Sequence, residues 1–398
     1  MVVRMISILF VDDEVDILAG LQNTLRKRTD EWDMKFVMSS KEALEVLANA
    51  KFDIIVSDMQ MPGMDGAELL AIVQELYPHM TRFLLTGQAD RQSILRTIPV
   101  THQFIYKPCS PENLLDLLDR TCALHSRIQN EIVRRLVSTA QSVPSVPKVA
   151  ARIAGLMARE NASILDIAKV IESDPGLGAR VLQVSNSAAM RRSRKFTNIS
   201  DAVCFIGLEC AKSLAMAHEV FRATPENRPF IRLLERTYSK SCLATALVTE
   251  YLEGHPEVGT ATTASLLRDI GLIVSASVSP EIYRLAMDAN AKSESLIFLE
   301  NTCFGVTHAE IGGNLLALWG IPMAVVEAVA CHHSLQDSTI EPVIMAAIHI
   351  SDVIAESPNA TKDEISSSIN WEFLEANGLV EKANEWLEFD VQSIRIAA

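Results

Sequence analysis

Five short apolar runs alternate with longer amphipathic segments over the first 126 residues of this chain. Strand-length runs separated by helix-length segments are typical of βα units around a parallel sheet, whose strands are covered on both faces and are therefore apolar throughout. The predicted strands cover residues 6–11, 34–38, 52–57, 81–86 and 103–106. The predicted helices cover residues 15–28, 40–49, 65–76 and 90–97 and start again at 111. This alternation predicts a doubly wound α/β domain with a five-stranded parallel sheet.

The character of the sequence changes after a proline-containing segment at 143–147. The remainder of the 398 residues shows helical periodicity and no convincing strand, which predicts an all-α fold. We therefore predict an α/β domain over residues 1–125, a helical linker over 126–145 and an all-α domain over 146–398.

The segment at 112–143 contains neither proline nor glycine. It is compatible with one helix of about 30 residues, roughly 45 Å long, or with two helices that break near its middle. Its apolar spacing favours pairing with a second copy and thus a homodimer, although a helix packed on its own sheet would show the same spacing. The apolar residues concerned are Leu114, Leu118, Ile128 and Ile132.

Acidic residues outnumber basic ones, with 50 Asp and Glu against 36 Lys and Arg and a formal net charge of −14. Such a field repels phosphate backbones and anionic lipid, so the composition disfavours nucleic acid as a partner. A basic cluster at 191–195 is a local exception, and a run this short is usually a solvated loop.

The seven cysteines are an odd number and include no Cys-x-x-Cys pair. This argues against a disulfide framework and a thiolate zinc site, and it fits a reducing compartment. The most apolar stretch, residues 311–326, is interrupted by Asn314, Gly320 and Pro322, and the N-terminus has no signal-peptide pattern. We therefore expect a cytoplasmic protein without a membrane partner.

Polar side chains follow four of the predicted strands. Asp12 and Asp13 follow the first strand, Asp58 follows the third, Thr86 ends the fourth and Lys107 follows the fifth. Because the carboxyl ends of parallel strands meet at one edge of a sheet, these side chains are expected to converge. Clustered carboxylates repel one another unless a cation intervenes, and Mg²⁺ takes carboxylate oxygens while leaving a position for a phosphoryl oxygen. With that ion, Asp58 can attack a phosphoryl group whose charge Lys107 neutralises, while the Thr86 hydroxyl donates to an oxygen.

Four short motifs carry a family resemblance. FVDDE, SDMQMPGMDG, LLTG and YKP, in this order, resemble the receiver domain of two-component response regulators over about 120 residues. The resemblance implies a flavodoxin-like fold and a sensor histidine kinase as partner. It also implies Asp58 as the phosphoacceptor and Mg²⁺ as the cofactor.

The same resemblance implies roles for further residues of the sheet edge. Mg²⁺ would be held by Asp12, Asp13, Asp58 and the backbone carbonyl of Gln60. Thr86 and Lys107 would sense the phosphate, and Phe104 would be the aromatic switch, although it lacks the hydroxyl of the commoner Tyr. Gln60 and Gln88 would set the lifetime of the phosphate.

The second part of the chain resembles the HDOD domain, a relative of the metal-dependent HD and HD-GYP phosphohydrolases, from about residue 133 to at least Asp352. The motifs that carry the resemblance are VPSVP, DPGLGARVLQVSNSA, AVCFIGLECAK, LLRDIG, ENTCFGVTHAEIGGNLL and WGIP, followed by two histidines and an aspartate. The polar residues that the resemblance brings together are Lys240, Arg268, Asp269, His308, His332, His333 and Asp352. His349 and Asp352 are three residues apart, so they share one face of a helix.

Two departures from the HD pattern bear on the chemistry. Arg268 stands where the histidine of the HD pair is expected, and Lys240 stands near the expected upstream histidine. Two cations at ligand positions would repel a catalytic metal ion by several kcal/mol. We therefore expect a degenerate HD site without cofactor, whose polar groups hydrogen-bond one another or pair with Arg268. Residual metal binding and fully exposed histidines are the alternatives.

The sequence thus indicates a cytoplasmic response regulator. A histidine kinase would phosphorylate Asp58, and a non-catalytic HDOD domain would respond by binding an unknown downstream protein. The first alternative is an HD-type metal-dependent phosphodiesterase that hydrolyses a cyclic dinucleotide. The second alternative is a DNA-binding output through the basic cluster.

Overall fold

The computed structural model describes residues 5–87, 100–107, 163–186, 195–208, 228–278 and 296–388, together with residue 97 and some positions within 114–122, 152–156 and 210–214. The predicted linker at 126–145, Gln88 and most of the basic cluster lie outside the described residues. The chain divides into two compact units, one formed mainly by residues 1–141 and the other mainly by residues 142–398.

The first unit is built on a parallel sheet with strand order β2-β1-β3-β4-β5. Its strands are β1 (Ile6–Val11), β2 (Trp32–Val37), β3 (Ile54–Asp58), β4 (Thr81–Thr86) and β5 (Gln103–Tyr106). Its described helices include α1 (Val15–Leu25), α2 (Ser40–Asn49) and α3 (Gly66–Leu76). All four pairs of neighbouring strands are parallel, which confirms the predicted doubly wound α/β fold.

Strands β1, β4 and β5 have the predicted bounds. Strands β2 and β3 differ from the predicted ranges 34–38 and 52–57. Strand β2 begins at Trp32, because this buried side chain lies opposite Ile6 at the start of the β1 ladder. It ends before Met38, whose side chain is 48% exposed. Strand β3 starts at Ile54, where its pairing with β1 begins, although Phe52 is also buried.

One face of this sheet forms an apolar core cluster of the first unit. Alternate residues of the strands point to it, including Ile8, Phe10, Ile54 and Phe83. Leu114 and Leu118 are buried in the same core. Leu114 and Leu118 therefore pack on their own sheet, whereas Ile128 and Ile132 lie outside the described residues, so the homodimer stays a prediction.

Gly66 starts α3 where the helix passes close to the end of β3. A β-carbon at this position would lie 2.0 Å from the backbone oxygen of Asp58 and 2.9 Å from Leu84 Cδ1. We expect Gly66→Ala to destabilise the first unit by about 3 kcal/mol, because a backbone atom cannot move aside as a flexible side chain does. Hydrogen exchange in peptides from β3 and β4 would measure the loss.

Gly20→Ala is the matched control for that substitution. Gly20 lies inside α1, is exposed, and its added β-carbon would meet nothing within 4 Å. The same change should therefore stabilise the unit by about 0.5–1 kcal/mol through helix propensity. Equal effects of the two substitutions would contradict the close approach of α3 to β3.

The second unit is helical throughout its described residues, as predicted. Its helices are α4 (Ile164–Ile171), α5 (Pro175–Asn186), α6 (Ile199–Ile206), α7 (Arg228–Tyr251), α8 (Val258–Leu267), α9 (Ile270–Val278), α10 (Leu296–Phe304), α11 (His308–Leu318), α12 (Met323–Ala330), α13 (Pro342–Glu356), α14 (Lys362–Ser367), α15 (Trp371–Ala376) and α16 (Val380–Leu387). Helix α7 packs against α8 and α13, and α8 also packs against α12. Among the helices described in both units, none has the length and apolar character needed to cross a bilayer.

Helix α5 is a buried helix of the second unit and carries most of the DPGLGARV motif. Asp174 caps it, because its carboxylate accepts the Leu177 N–H at 2.9 Å and its carbonyl accepts the Gly178 N–H at 2.8 Å. Every residue from Pro175 to Ser185 is buried, so the helix has no solvated face. The motif is therefore accounted for by capping and packing.

Candidate functional site

The polar residues predicted at the sheet edge are brought together at the carboxyl ends of the strands. Asp12 and Asp13 follow β1, Asp58 is the last residue of β3, Thr86 is the last residue of β4 and Lys107 follows β5. Asp12, Asp58 and Thr86 are buried, and Asp13 is half-buried. Parallel pairing of all five strands fixes these positions, because it aligns the strand ends along one edge.

Lys107 joins the two buried carboxylates of this edge. Its Nζ lies 2.7 Å from Asp12 Oδ2 and 2.6 Å from Asp58 Oδ1. Backbone amides hold the remaining carboxylate oxygens, since Gln60 N–H donates to Asp58 Oδ2 at 2.8 Å and Glu14 N–H donates to Asp12 Oδ1 at 3.0 Å. Asp58 therefore presents a carboxylate that is fixed in orientation next to an ammonium group.

Burial and charge act in opposite directions on this pair. Burial raises the pKa of the Asp58 carboxyl above its ordinary value, and Lys107 offsets only part of that rise. Burial also disfavours the charged form of Lys107, but the carboxylates of Asp12 and Asp58 outweigh it and raise the pKa of the ammonium group. Lys107 is therefore charged at neutral pH, and its ammonium group can also contact an oxygen of an incoming phosphoryl group.

The donor set fits a hard divalent cation and a phosphoryl group. Asp12, Asp13 and Asp58 bring three carboxylates to the edge against the single ammonium of Lys107, and carboxylate oxygens are the ligands that Mg²⁺ prefers. The Thr86 hydroxyl oxygen is buried and has no hydrogen-bond partner. An unpaired buried hydroxyl is costly, so this group is suited to donate to an oxygen of an incoming anion.

The predicted aromatic switch lies beside these groups in the sheet. Phe104 is buried, with 2% of its surface exposed, and lies opposite Leu84 in the β4–β5 ladder. Its neighbour Ile105 belongs to the core on the other face, so the Phe104 ring is on the opposite side of the sheet. The backbone N–H of Lys107 donates to Thr86 O at 2.6 Å, which ties the end of β5 to the end of β4.

A second polar cluster lies in the helical unit around Arg268. This side chain is completely buried in the turn between α8 and α9. Its Nε lies 2.7 Å from Asp352 Oδ1, and its Nη2 lies 3.4 Å from Asp269 Oδ2. Burial raises the pKa of each carboxyl, but Arg268 outweighs this and holds both below their ordinary values. The predicted pairing with Arg268 is therefore present.

Three histidines form the other half of this cluster. His308 Nδ1 lies 2.8 Å from Glu300 Oε2, and His308 Nε2 lies 3.2 Å from His333 Nε2 and 3.5 Å from Asp269 Oδ1. His332 Nδ1 lies 2.7 Å from the backbone oxygen of Val329, and its buried Nε2 has no hydrogen-bond partner. One ring nitrogen of each histidine lies within 4.8 Å of the others.

A cavity of about 1,130 Å³ opens onto this cluster. Its walls include Lys240, Asp269, His308, His333, His349 and Asp352. Lys240 does not approach the buried acids but pairs with Glu356 near the surface. The Nε2 atom of His349 accepts a hydrogen bond from the backbone N–H of Asn370 at 3.0 Å. This bond links α13 to the residue that precedes α15.

Two residues of these clusters were missing from the sequence prediction. Glu300 is 3% exposed and binds both the ring and the backbone N–H of His308, at 2.8 and 2.9 Å. Gly66 allows α3 to approach Asp58. Glu300 gave only a weak signal, an acid eight residues before His308 in ENTCFGVTH, whereas Gly66 ends the SDMQMPGMDG motif.

The His308–Glu300 contact predicts a pH dependence of stability. Burial lowers the pKa of His308, but Glu300 outweighs it and raises the pKa from 6.5 to about 9. A raised pKa contributes stability that is complete below about pH 6.5 and lost as the pH rises through 9, which amounts to about 3 kcal/mol. We expect the unfolding free energy of the helical unit, measured in chelator by hydrogen exchange, to fall over this window. Glu300→Gln should flatten the profile, and a flat profile in the wild type would contradict the assignment.

Comparison with known families matches both units. The response regulator receiver domain model matches residues 8–119, and the HDOD domain model matches residues 143–335. The response regulator protein FleR of Pseudomonas aeruginosa is 34% identical over 116 residues, which cover 29% of this chain and 24% of FleR. The chain thus spans about a quarter of that curated relative's length.

Two solved structures are similar to parts of the chain. The signal receiver domain of an HD domain-containing protein from Pseudomonas fluorescens Pf-5 is 33% identical and covers 32% of this chain and 100% of that one, with a TM-score of 0.30. A virulence factor of Campylobacter jejuni subsp. jejuni covers 65% of this chain and 98% of its own, with 19% identity and a TM-score of 0.50, and it supports the fold alone. The two family models identify the chain as one that carries a response regulator receiver domain at residues 8–119 and an HDOD domain at residues 143–335.

Proposed function

We propose that Asp58 accepts a phosphoryl group from a sensor histidine kinase in the cytoplasm, and that the HDOD domain responds by binding a downstream protein without catalysing a reaction. The observation that carries this proposal is the convergence of Lys107 Nζ on Asp12 and Asp58, at 2.7 and 2.6 Å. A homodimer that pairs through the receiver domain or through the long helical segment predicted at 112–143 belongs to the same proposal.

The proposed reaction at Asp58 transfers a phosphoryl group from a phosphohistidine of the kinase to the Asp58 carboxylate. A carboxylate oxygen forms a bond to phosphorus while the phosphorus–nitrogen bond of the kinase phosphohistidine breaks, and the released imidazole later takes up a proton from solvent. Gln60 N–H and Lys107 hold the carboxylate in one orientation, so little freedom is lost on reaction. Mg²⁺, when held by Asp12, Asp13, Asp58 and the Gln60 carbonyl, supplies positive charge against the phosphoryl oxygens.

The response begins with two groups that gain a new partner. Lys107 moves its contact from Asp58 to a phosphoryl oxygen, and the Thr86 hydroxyl donates to another. Because Lys107 N–H is bonded to Thr86 O, a shift of either residue displaces the end of β5 next to Phe104. The surface formed by β5 and its flanking helices then changes its contacts.

The charge of the HDOD cluster supports a non-catalytic output. The Arg268 guanidinium group forms ion pairs with the buried carboxylates of Asp269 and Asp352. These acids are therefore engaged by a permanent cation, and an ion in contact with both would face its repulsion at short range.

A metal-dependent phosphodiesterase is the second candidate for the output. The observation in its favour is the group of three imidazoles beside a cavity of about 1,130 Å³. It predicts turnover of a cyclic dinucleotide that disappears in His332→Ala. Failure of the metal-loaded, folded protein to turn over any such substrate would dispose of it.

The proposal is tested by labelling the full chain with radioactive acetyl phosphate in the presence of Mg²⁺. We expect labelling that approaches one phosphate per chain, is lost when EDTA is added first, and is released by hydroxylamine, which cleaves acyl phosphates. Labelling that is independent of Mg²⁺ or resistant to hydroxylamine would contradict the proposal.

A further inference from the structure

We propose that residues 357–368 form a lid on the cavity of the HDOD domain, which opens as a local unit and controls the access of polar ligands to the ion cluster at the cavity wall. The lid consists of the turn after α13, helix α14 and the residue that follows it. This inference does not depend on the phosphoryl chemistry of Asp58.

The lid forms a large part of the cavity wall. Eight of the residues that line the cavity of about 1,130 Å³ belong to this one segment of the chain. The same wall carries Asp269, His308 and Asp352 of the polar cluster. A displacement of the lid therefore widens the cavity that leads to these groups.

The lid is attached to the domain without a buried side chain of its own. None of residues 356–368 is buried, and this includes every residue of α14. Ile365 is the largest apolar side chain of the lid, lines the cavity and is only half-buried. Because apolar burial is the main source of local stability, the lid can leave the domain at a small cost in free energy.

Both ends of the lid are firmly anchored. Ala355, near the end of α13, is buried, and so are Ile369 and Leu374 on the other side of the lid. His349 Nε2 also accepts the Asn370 N–H at 3.0 Å, which fixes the chain just beyond the lid to α13. A loosely attached segment between two fixed ends can swing outward while the rest of the domain keeps its packing.

Polar contacts at the edge of the lid hold it closed. The Trp371 indole N–H donates to Ser366 O at 2.9 Å, and Lys362 Nζ lies 2.6 Å from Glu388 Oε2. Both side chains of the Lys362–Glu388 pair are mostly exposed, so water screens their attraction. The capping box of Thr361 stabilises the start of α14 through bonds within the lid, so the helix can move as one piece.

Hydrogen exchange of the full chain tests whether the lid opens alone. The Ile365 N–H donates to Thr361 O and the Ser368 N–H donates to Ile365 O, so both amides report on α14. We expect them to exchange at least about 100-fold faster than the amides of α13. Exchange of both helices at one rate would overturn the inference, because α14 would then open only together with the domain.

Alkylation of an introduced thiol tests whether this opening controls access to the cavity. Thr237 lines the cavity and is buried, and cysteine is close to threonine in size. In Thr237→Cys the new thiol reacts with N-ethylmaleimide when the reagent enters the cavity, and peptide mass spectrometry distinguishes it from the native cysteines. Adding Ile365→Ala should raise the alkylation rate by about 10-fold, because it removes the largest apolar contact of the lid.

Leu165→Ala, added to the same Thr237→Cys background, is the matched control. Leu165 is an apolar side chain of α4, 58% exposed, and α4 does not contribute to the described cavity wall, so the alkylation rate should stay unchanged. An unchanged rate with Ile365→Ala, or a rise accompanied by an equal loss of protection in α13, would overturn the inference. Phosphate labelling of the same samples would be unaffected by either result, so the proposed function is tested separately.

Discussion

Asp58→Asn is expected to abolish phosphate incorporation, with a loss of at least about 100-fold relative to wild type. An amide oxygen has almost no nucleophilicity toward phosphorus, so the substitution removes the carboxylate nucleophile whose Oδ1 lies 2.6 Å from Lys107 Nζ. The substitution keeps the size of the side chain and removes a buried charge that burial disfavours. The fold should therefore be retained, and the loss would be chemical. Filter-bound radioactivity after reaction with acetyl phosphate and Mg²⁺ measures the effect.

Asp33→Asn is the control for this experiment. Asp33 is an exposed acid on β2, in the same domain but away from the carboxyl edge of the sheet. Its substitution makes the same change of charge and should leave labelling unaltered. Equal labelling of Asp58→Asn and wild type would show that another residue is the nucleophile.

Arg268→Met is expected to destabilise the HDOD domain by about 3–5 kcal/mol. The substitution keeps a long apolar stem but leaves the carboxylates of Asp269 and Asp352 buried without their cation, and an uncompensated buried charge costs this much. Hydrogen exchange of peptides from α8 and α13 measures the change. Adding Asp352→Asn to Arg268→Met should recover part of the loss, because it removes one of the unpaired charges.

Lys240→Met provides a matched control in the same cavity. Lys240 also pairs with an acid, but that partner, Glu356, is 51% exposed. A pair that water screens contributes about 0–1 kcal/mol, so this change should be close to neutral. If the two substitutions cost the same, the buried ion cluster around Arg268 is not what stabilises the domain.

The receiver domain could be predicted closely from its sequence because its signals are local. Buried parallel strands are apolar throughout, and β1, β4 and β5 have the predicted bounds. The polar residues that end these strands then follow from the topology, as the contacts of Lys107 with Asp12 and Asp58 confirm. The start of β2 was not predicted, because the polar Asp33 interrupts the apolar run next to Trp32. Trp32 belongs to the strand because it pairs with Ile6 of β1.

The HDOD cluster was less predictable because its contacts join residues that are distant in sequence. Motif order indicated that Arg268 and Lys240 stand at positions expected for histidines, yet it treated the two cations alike. The structure separates them, since Arg268 is buried against two acids and Lys240 pairs with a surface acid. Glu300 contacts His308 only when α10 and α11 pack against each other. No local pattern in the sequence predicts that contact.

The most direct test of the account is to locate the phosphate by reduction with borohydride followed by peptide mass spectrometry. Borohydride converts an aspartyl phosphate to homoserine and leaves phosphoserine and phosphothreonine unchanged. We predict homoserine at position 58 in the phosphorylated wild type and none in Asp58→Asn. Homoserine at another aspartate, or a phosphate that resists reduction, would contradict the assignment of Asp58 on which the function rests.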